Sequence, residues 1–461
     1  MPRARRDLSE MTTIWGPWRE RMADAPVTEA GRLVGDGALV VLSPHPDDET
    51  FGTSALISGS ARAGRTMGIV AVTDGEASHR SPSIPRERLA EIRTAEQQAA
   101  VESLGVADAR WLRLHLADSG AGRDPRMAEA AGRVATFLDE IGATALCAPH
   151  PDDPHPDHHA TAALAEAVRA LRPRIRLLHY YVWSMRLGDD EPCRTEGLTP
   201  FRLATDIEAK GRAIACHRSQ LGALVTDDPE GFVLPEWFLE AQRAPFERYA
   251  WAAMPGALPG ADHFADLYAN DGDPWHVRSS RYEADKRADN IDQLSGTHHT
   301  RGLDVACGEG HLAAALVEAG VVPALTGIDR DPGIVARART VHAGISGLDF
   351  VEGALPEGLP DGPFDLAIVS EILYFLDEEG SRILAEGLIE RLQPGGDILV
   401  VDYLGDTGTP LSGRDAHDFF LAVLGNRFVT VSERGREAYR ATLLRYAGEG
   451  VPDLAGSASS R

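Results

Sequence analysis

The sequence predicts an α/β protein with two doubly wound, mostly parallel sheets that follow each other along the chain. In both halves, short apolar runs alternate with stretches whose apolar residues recur every three or four positions. This alternation is typical of parallel strands joined by crossover helices. The length of 461 residues also exceeds that of one ordinary domain. We therefore expect two domains, each with helices on both faces of its sheet.

The first half contains four apolar runs that predict buried strands, at 38–42, 67–72, 143–148 and 176–183. Helical spacing between and after these runs predicts helices at 86–104, 127–141 and 206–220. Two Pro-Gly pairs within 254–261 indicate a linker between domains. We accordingly assign 1–35 to an N-terminal extension and 36–253 to a first domain.

The second half repeats the alternation of strands and helices. Its predicted strands, again short and apolar, lie at 302–306, 324–329, 364–370 and 397–403. The last two apolar runs, 427–431 and 438–446, predict an antiparallel hairpin. We assign 262–446 to a second domain, and 447–461, which is small and polar, to a flexible tail.

The charge balance limits which partners the protein can have. Lys and Arg total 46 and Asp and Glu total 70, which gives a formal net charge of −24. Such a surface repels phosphate backbones and anionic lipids, so we expect no nucleic-acid partner. No apolar run predicts a membrane span, and no apolar core follows the basic N-terminus as it would in a secretory signal. Four cysteines in so long a chain predict no disulfide framework, which favours a cytoplasmic enzyme. The sequence leaves the oligomeric state undetermined.

Two clusters of polar side chains follow two of the predicted strands. Pro44-His-Pro-Asp-Asp-Glu49 comes directly after 38–42, and a second cluster, which includes His155-Pro-Asp-His158, comes after 143–148. Because the carboxyl ends of parallel strands meet at one edge of a sheet, we expect the clusters to converge. A single cluster of this kind would more often form a turn than a metal site. Two clusters at the same edge favour a catalytic divalent metal held by His and Asp side chains.

These motifs resemble the LmbE-like (PIG-L) superfamily, which includes N-acetylglucosaminyl deacetylases, over about residues 36–250. The resemblance implies three ligands of zinc or of another divalent metal, namely His45, Asp48 and His158. It also implies that Asp47 is the general base and that His155 assists protonation of the departing amine. Arg93 and Asp118 match positions that hold the sugar in deacetylases of this family.

A glycine-containing turn follows the first strand of the second half. The segment Gly302-Leu-Asp-Val-Ala-Cys-Gly-Glu-Gly-His311 would let the backbone approach a nucleotide-like ligand. Asp329 closes the next strand, where an acidic side chain can accept hydrogen bonds from ribose hydroxyls. A hydride-transferring Rossmann domain would carry G-x-G-x-x-G, and Ala306-Cys-Gly-Glu-Gly310 does not supply it.

The order of these elements resembles a class I S-adenosylmethionine-dependent methyltransferase over about residues 262–446. The resemblance implies six cofactor-binding positions, which are Asp304, Ala306, Gly308, Gly310, Asp329 and Ser370. Ala306 stands where relatives usually have a glycine, a replacement that requires a negative φ. Gly353-Ala354 offers no Asp for the adenine amine, which departs from many relatives.

Within this family, Ser370-Glu-Ile-Leu-Tyr-Phe375 and Tyr282-Glu-Ala-Asp-Lys286 look most like the nodulation N-methyltransferases. The resemblance implies that Glu371 and Tyr374 lie near the transferred methyl group. His417, which follows the fifth strand, is a candidate to bind or deprotonate the methyl acceptor.

Together these resemblances imply a bifunctional enzyme. Its first domain would deacetylate an N-acetylamino sugar or a related glycoconjugate, and its second would N-methylate the product with S-adenosylmethionine. Two alternatives remain open at this point. The methyltransferase could act independently on oxygen or another acceptor, or the second domain could be a binding module without catalytic activity.

Overall fold

The computed structural model describes residues 14–259, 273 and 275–448. The chain divides into two compact units, Met1–Met254 and Pro255–Arg461. Within the described part, no helix has both the length and the apolar character needed to cross a bilayer. Part of the predicted linker (260–261) and most of the predicted tail (449–461) lie outside the described residues.

The first unit is built on an eight-stranded sheet. Its strands are β1 (Val27–Thr28), β2 (Ala38–Ser43), β3 (Met67–Thr73), β4 (Arg110–Leu116), β5 (Ala143–Pro149), β6 (Arg176–Tyr180), β7 (Leu198–Ala204) and β8 (Phe246–Ala252). The strand order is β1-β7-β8-β6-β5-β2-β3-β4. β8 runs antiparallel to its neighbours β6 and β7, whereas all the other pairs are parallel.

Within residues 14–254, eight α-helices accompany this sheet. They are α1 (Trp15–Asp24), α2 (Ala30–Val34), α3 (Asp48–Arg62), α4 (Arg86–Ser103), α5 (Met127–Ile141), α6 (Pro156–Leu171), α7 (Ile207–Cys216) and α8 (Glu236–Ala241). Residues 14–34, within the predicted N-terminal extension, pack onto this unit. Trp15 and Trp18 are fully buried, and β1 pairs with β7.

The adjacency of β2 and β5 positions the first candidate site. The two strands are parallel neighbours, with Val41 opposite Cys147. All six residues of β2 are buried, as expected for a central strand covered on both faces. Their carboxyl ends therefore deliver Pro44–Asp48 and His150–His158 to the same edge, although about a hundred residues separate the two segments.

The second unit is built on a seven-stranded sheet. Its strands are β9 (Gly302–Val305), β10 (Leu325–Asp329), β11 (Leu348–Glu352), β12 (Phe364–Ser370), β13 (Leu392–Tyr403), β14 (Phe428–Gly435) and β15 (Tyr439–Tyr446). The order is β11-β10-β9-β12-β13-β15-β14, and only the pairs that involve β15 are antiparallel. The predicted fold class, including the terminal hairpin, is confirmed.

Within residues 275–448, five longer helices accompany this second sheet. They are α9 (Arg281–Leu294), α10 (His311–Glu318), α11 (Pro332–Val341), α12 (Glu378–Arg391) and α13 (Gly413–Leu424). α9 precedes the first strand, and its buried face includes Glu283, Lys286 and Asn290. The buried polar residues of this face indicate that α9 does more than cover the sheet.

Gly52 is a point of close packing next to the first site. A Cβ atom at this position would lie 2.2 Å from Cδ2 of Tyr180. Tyr180 is fully buried, and its hydroxyl donates a hydrogen bond to the Leu42 carbonyl at 2.9 Å, so the ring has little freedom to move.

Gly52→Ala should therefore lower the free energy of unfolding of the first unit by about 1–3 kcal/mol. The matched control is Gly132→Ala in α5, where the added Cβ would have no atom within 4 Å apart from the neighbouring residues and backbone of its own helix. This control should be stabilised by about 0.5–1 kcal/mol, because alanine favours the helix. Urea unfolding followed by circular dichroism measures both effects, and a wild-type midpoint for Gly52→Ala would show that the packing around Tyr180 is loose.

Candidate active sites

The first site forms where β2 and β5 end. His45 lies in the turn after β2, Asp48 begins α3, and His158 lies in the first turn of α6. One oxygen of Asp48, Oδ2, lies 3.0 Å from His45 Nδ1 and 3.1 Å from His158 Nε2. The structure thus brings the three side chains predicted as metal ligands into one cluster.

This cluster fits a divalent cation. His158 is fully buried, and neither of its ring nitrogens is aligned for a hydrogen bond, although Asp153 Oδ1 lies 3.0 Å from Nδ1. A buried imidazole nitrogen without a hydrogen-bond partner is costly unless something else occupies its lone pair. Two imidazole nitrogens and one carboxylate are a donor set that zinc and several other divalent ions accept.

His155 lies beside the cluster. One ring nitrogen from each of His45, His155 and His158 lies within 4.8 Å of the other two. His155 Nδ1 accepts a hydrogen bond from the Asp157 backbone N–H at 3.2 Å. Burial, together with the nearby His45 and His158, lowers the pKa of His155 to about 4. The neutral ring therefore carries its hydrogen on Nε2.

Asp47 is paired with Arg93 rather than standing alone. Arg93 Nη2 donates to Asp47 Oδ2 at 3.0 Å, and Nη1 donates to the Gly75 carbonyl at 3.0 Å. Burial raises the pKa of Asp47 to about 6, while the positive charge of Arg93 opposes that rise. Arg93 was predicted to hold the sugar, and the structure places its guanidinium on the carboxylate predicted as general base.

A cavity of about 320 Å³ opens onto this cluster. Six of the predicted site residues line it, namely His45, Asp47, Asp48, Arg93, Asp118 and His155. Asp118 accepts a hydrogen bond from the Ala77 backbone N–H at 2.7 Å and lies 3.5 Å from His45 Nε2. Sequence reasoning missed Trp183 and Phe232, which also line the cavity, because single aromatic residues in loops carry no pattern.

The second site is a cavity of about 240 Å³ in the second unit. Seven of the predicted positions line it, namely Asp304, Ala306, Gly308, Asp329, Ser370, Glu371 and Tyr374. Gly310 is not among the lining residues. Its φ is +76°, and a Cβ there would lie 2.3 Å from the Phe350 ring, so this glycine allows close packing of the turn.

The turn after β9 is fixed by the carboxylate that ends β10. Asp329 Oδ2 accepts the Gly308 backbone N–H, and Oδ1 accepts the Asp331 backbone N–H, both at 3.0 Å. Burial, together with the charge of Asp329, raises the pKa of Asp304 to about 7. The expected negative φ at Ala306 is wrong, since its φ is +56°. Alanine thus adopts the left-handed conformation that a glycine would adopt more easily.

Glu371 follows β12 and holds three donors. Its Oε1 accepts hydrogen bonds from the Tyr282 hydroxyl at 2.8 Å and from Lys286 Nζ, and its Oε2 accepts the Tyr374 hydroxyl at 3.2 Å. Lys286 also contacts Glu283 Oε1 at 2.7 Å. The backbone of Glu371 has φ +57°, a strained conformation for a residue with a side chain. The two predicted motifs therefore meet at this carboxylate.

The structure does not support a catalytic role for His417. The side chain is fully buried in α13 and is not among the residues that line the cavity. Its Nδ1 lies 2.9 Å from Asp402 Oδ2, and its Nε2 lies 2.8 Å from Thr442 Oγ1. Both ring nitrogens are engaged in joining α13 to β13 and β15, so His417 supports the packing of the sheet.

Asn290 is a polar residue that sequence reasoning missed. It is fully buried and lines the second cavity, and neither its Nδ2 nor its Oδ1 has a hydrogen-bond partner among the described residues. Glu283, Lys286 and Asn290 occupy one face of α9 because they lie three and four residues apart. That spacing of polar residues was visible in the sequence, but a polar helix face is more often solvated.

Comparisons with known proteins match the two units separately. The GlcNAc-PI de-N-acetylase (PIG-L) family matches residues 40–169. A methyltransferase domain family matches residues 303–396.

Three curated relatives illustrate these matches. A 1D-myo-inositol 2-acetamido-2-deoxy-alpha-D-glucopyranoside deacetylase of Kineococcus radiotolerans is 31% identical over 156 residues, which are 33% of this chain and 41% of that protein. The chain thus spans about two fifths of the length of this relative. A 3-amino-4-hydroxybenzoate 4-O-methyltransferase of Streptomyces cremeus is 30% identical over 275 residues, covering 54% of this chain and 73% of the relative. Nodulation protein S of Sinorhizobium fredii is 27% identical over 129 residues, which are 28% of this chain and 59% of that protein.

Both predicted resemblances are confirmed by these matches. The chain carries a PIG-L (LmbE-like) deacetylase domain and, after it, a domain that belongs to the class I S-adenosylmethionine-dependent methyltransferases.

Proposed function

We propose that the first unit hydrolyses the acetamide of an N-acetylamino sugar or of a related conjugate. The observation that carries this proposal is the meeting of His45, Asp48 and His158 beside Asp47 in one cavity. In the reaction, the oxygen of water adds to the acetyl carbonyl and the carbon–nitrogen bond breaks. The products are acetate and a free amine, which takes up a proton.

We assign the binding of a divalent ion, zinc or another, to His45, Asp48 and His158. The chemistry supplied by such an ion is polarisation of a carbonyl oxygen and a lower pKa for water. Asp153 supports the assignment because its carboxylate lies 3.0 Å from the ring nitrogen of His158 that faces away from Asp48. Carboxylates in this position orient ligand imidazoles in many metal sites.

The remaining residues are suited to proton transfer and orientation. Asp47 is the group that would take a proton from water, and its hydrogen bond with Arg93 keeps its carboxylate at a fixed position. His155 would donate a hydrogen bond from Nε2 to the departing nitrogen, because its Nδ1 already accepts from the backbone. Asp118 faces the same cavity and is the group we assign to a sugar hydroxyl.

For the second unit, we propose methyl transfer from S-adenosylmethionine. The turn Ala306–Gly310 and the carboxylate of Asp329 would hold the nucleoside part, with Asp329 accepting hydrogen bonds from the ribose. Asp304, Ser370 and Asn290 also face the cavity and would contact the rest of the cofactor. The methyl group would then be presented near the carboxyl end of β12, where Glu371 and Tyr374 lie.

The charge of this cavity favours an amine as the methyl acceptor. Among the described residues, seven carboxyl groups line it, namely Asp273, Glu283, Asp304, Glu309, Asp329, Asp331 and Glu371, against the three cations Lys286, Arg287 and Arg330. This excess of negative charge attracts a positively charged sulfonium and an amine, and it disfavours an anionic acceptor. Glu371 is the group we assign to bind the amine and receive its proton.

We further propose that the two reactions are consecutive. The nitrogen of an acetamide is a poor nucleophile, because its lone pair is delocalised into the carbonyl. Loss of the acetyl group frees that lone pair, so the first product is a competent acceptor for the second reaction. Attack on the sulfonium methyl then mainly requires positioning of a neutral amine.

One observation favours a second candidate function for the methyltransferase unit. The Streptomyces relative, of which the chain covers 73%, is by its name an O-methyltransferase. In that case the methyl group would go to a hydroxyl, and the two activities would be independent.

Mass spectrometry of an N-acetylglucosamine substrate, incubated with and without S-adenosylmethionine, tests the consecutive reaction. We expect loss of the acetyl mass in both samples and gain of a methyl mass only with the cofactor. Asp47→Asn is the matched control: deacetylation should slow by about 10²–10⁴-fold, since the general base is lost, while added glucosamine is still methylated.

A different pattern would overturn this order of reactions. Methylation of a product that keeps its acetyl group would show that the two activities are independent. Failure to bind S-adenosylhomocysteine in calorimetry would show that the second unit is not a methyltransferase in function.

Asn290→Leu tests the cofactor cavity. The substitution removes two buried polar atoms without partners, so the midpoint of thermal unfolding should stay the same or rise. Binding of S-adenosylhomocysteine, measured by calorimetry, should weaken by about 1–3 kcal/mol, because a hydrogen-bonding group in the cavity is lost. Asn426→Leu, at an exposed position of the same unit, is the control. Wild-type affinity in Asn290→Leu would remove this residue from the cofactor site.

A further inference from the structure

The cavity of the first unit has two chemically different walls. One wall carries the charged cluster around His45 and Asp47. The other carries Phe51, Trp183 and Phe232, which we call the aromatic wall. The hydroxyls and the acetamide of an amino sugar need hydrogen-bonding partners, and the charged wall carries these. The aromatic wall is therefore left for an apolar group.

Apolar surface continues from the aromatic wall to the outside of the protein. Phe232 is 39% exposed, and its neighbour Val233 is 47% exposed. Trp237 is 47% exposed and its ring contacts Phe238, which stacks on Trp183 with ring centroids 4.4 Å apart. We call Phe232, Val233 and Trp237 the apolar rim. Exposed large apolar side chains that adjoin a cavity mark a binding surface more often than chance.

The aromatic wall is held at a fixed position relative to the reacting groups. The backbone N–H of Trp183 donates to Asp153 Oδ2 at 2.8 Å, and the other oxygen of Asp153 lies 3.0 Å from His158 Nδ1. The same carboxylate thus contacts a ligand imidazole and positions Trp183. A group bound on Trp183 therefore lies at a fixed distance from an acetamide bound next to His45, Asp48 and His158.

The apolar rim is also tied to the cavity. The backbone N–H of Phe232 donates to the Ser78 carbonyl at 3.1 Å, and that of Leu234 donates to the Gln220 carbonyl at 2.9 Å. Ser78 and Gln220 both line the cavity. Because the rim is ordered in this way before any ligand binds, little conformational entropy would be lost when one does.

We propose that the deacetylase cavity accepts a conjugate whose amino sugar carries an apolar aglycone of about the size of an aromatic ring. The sugar lies against the charged wall, and the aglycone lies on Trp183 and Phe232 and extends toward Val233. The inference rests on the proposed deacetylase function and adds its substrate class. A purely polar aglycone would leave the aromatic wall and the apolar rim without a role in binding.

The test compares the methyl and phenyl glycosides of N-acetylglucosamine, in both anomers, by acetate release and by calorimetric binding to Asp47→Asn. We expect kcat/KM and affinity to be about tenfold higher for the phenyl glycoside, as burial of an aromatic ring predicts. In Phe232→Ser and Val233→Ser, this phenyl-to-methyl ratio should fall toward one. Leu171→Ser, which changes a 49% exposed leucine on α6, should keep the wild-type ratio.

Three results would overturn the inference. Equal values for the two glycosides would show that the aromatic wall only supports the sugar ring. An unchanged ratio in both rim variants would place the aglycone elsewhere. A dimer in sedimentation that Trp237→Ser dissociates, again with an unchanged ratio, would show that a second copy covers the rim. Absence of acetate release from every substrate would instead contradict the proposed function, and the calorimetric ratio would still decide whether the apolar aglycone is recognised.

Discussion

The first site depends on one topological constraint, the parallel pairing of β2 with β5. His45 and Asp48 follow one of these strands and His158 follows the other, so the cluster exists only when both strands end at the same edge of the sheet. Their register, with Val41 opposite Cys147, brings the two strand ends together. The cluster of His45, Asp48 and His158 is thus a consequence of sheet topology rather than of local sequence.

The second unit uses strained backbone in addition to strand adjacency to position its groups. Ala306 and Glu371 both have positive φ, which costs free energy for residues with a side chain. The cost at Glu371 is offset by three hydrogen bonds to its carboxylate from Tyr282, Lys286 and Tyr374. These donors come from α9 and from the turn after β12, so they fix that turn to the helix that covers the cavity.

Much of the fold could be predicted from the sequence, because buried parallel strands are continuous apolar runs. Five strands were missed, namely β1, β4, β7, β8 and β11. β1 has only two residues, and polar residues or a proline interrupt the apolar residues of the others. The site residues that were predicted from motifs with fixed spacing do meet in the structure, around Asp48 in the first site and around Glu371 in the second. The partners Arg93–Asp47 and His417–Asp402 were not predictable, because they depend on side-chain contacts between distant elements. Asn290 was missed because a polar helix face is more often solvated, and Trp183 because a single aromatic residue in a loop forms no pattern.

The central claim is that His45, Asp48 and His158 together hold one divalent ion. The most direct measurement is metal content per chain by plasma mass spectrometry, after equilibration with zinc and removal of the free ion. We predict a single ion per chain in the wild type and in His159→Ala, which changes the exposed histidine next to the cluster. In His158→Ala, occupancy should fall well below that value. Full occupancy in His158→Ala, or no bound ion in the wild type, would contradict the account.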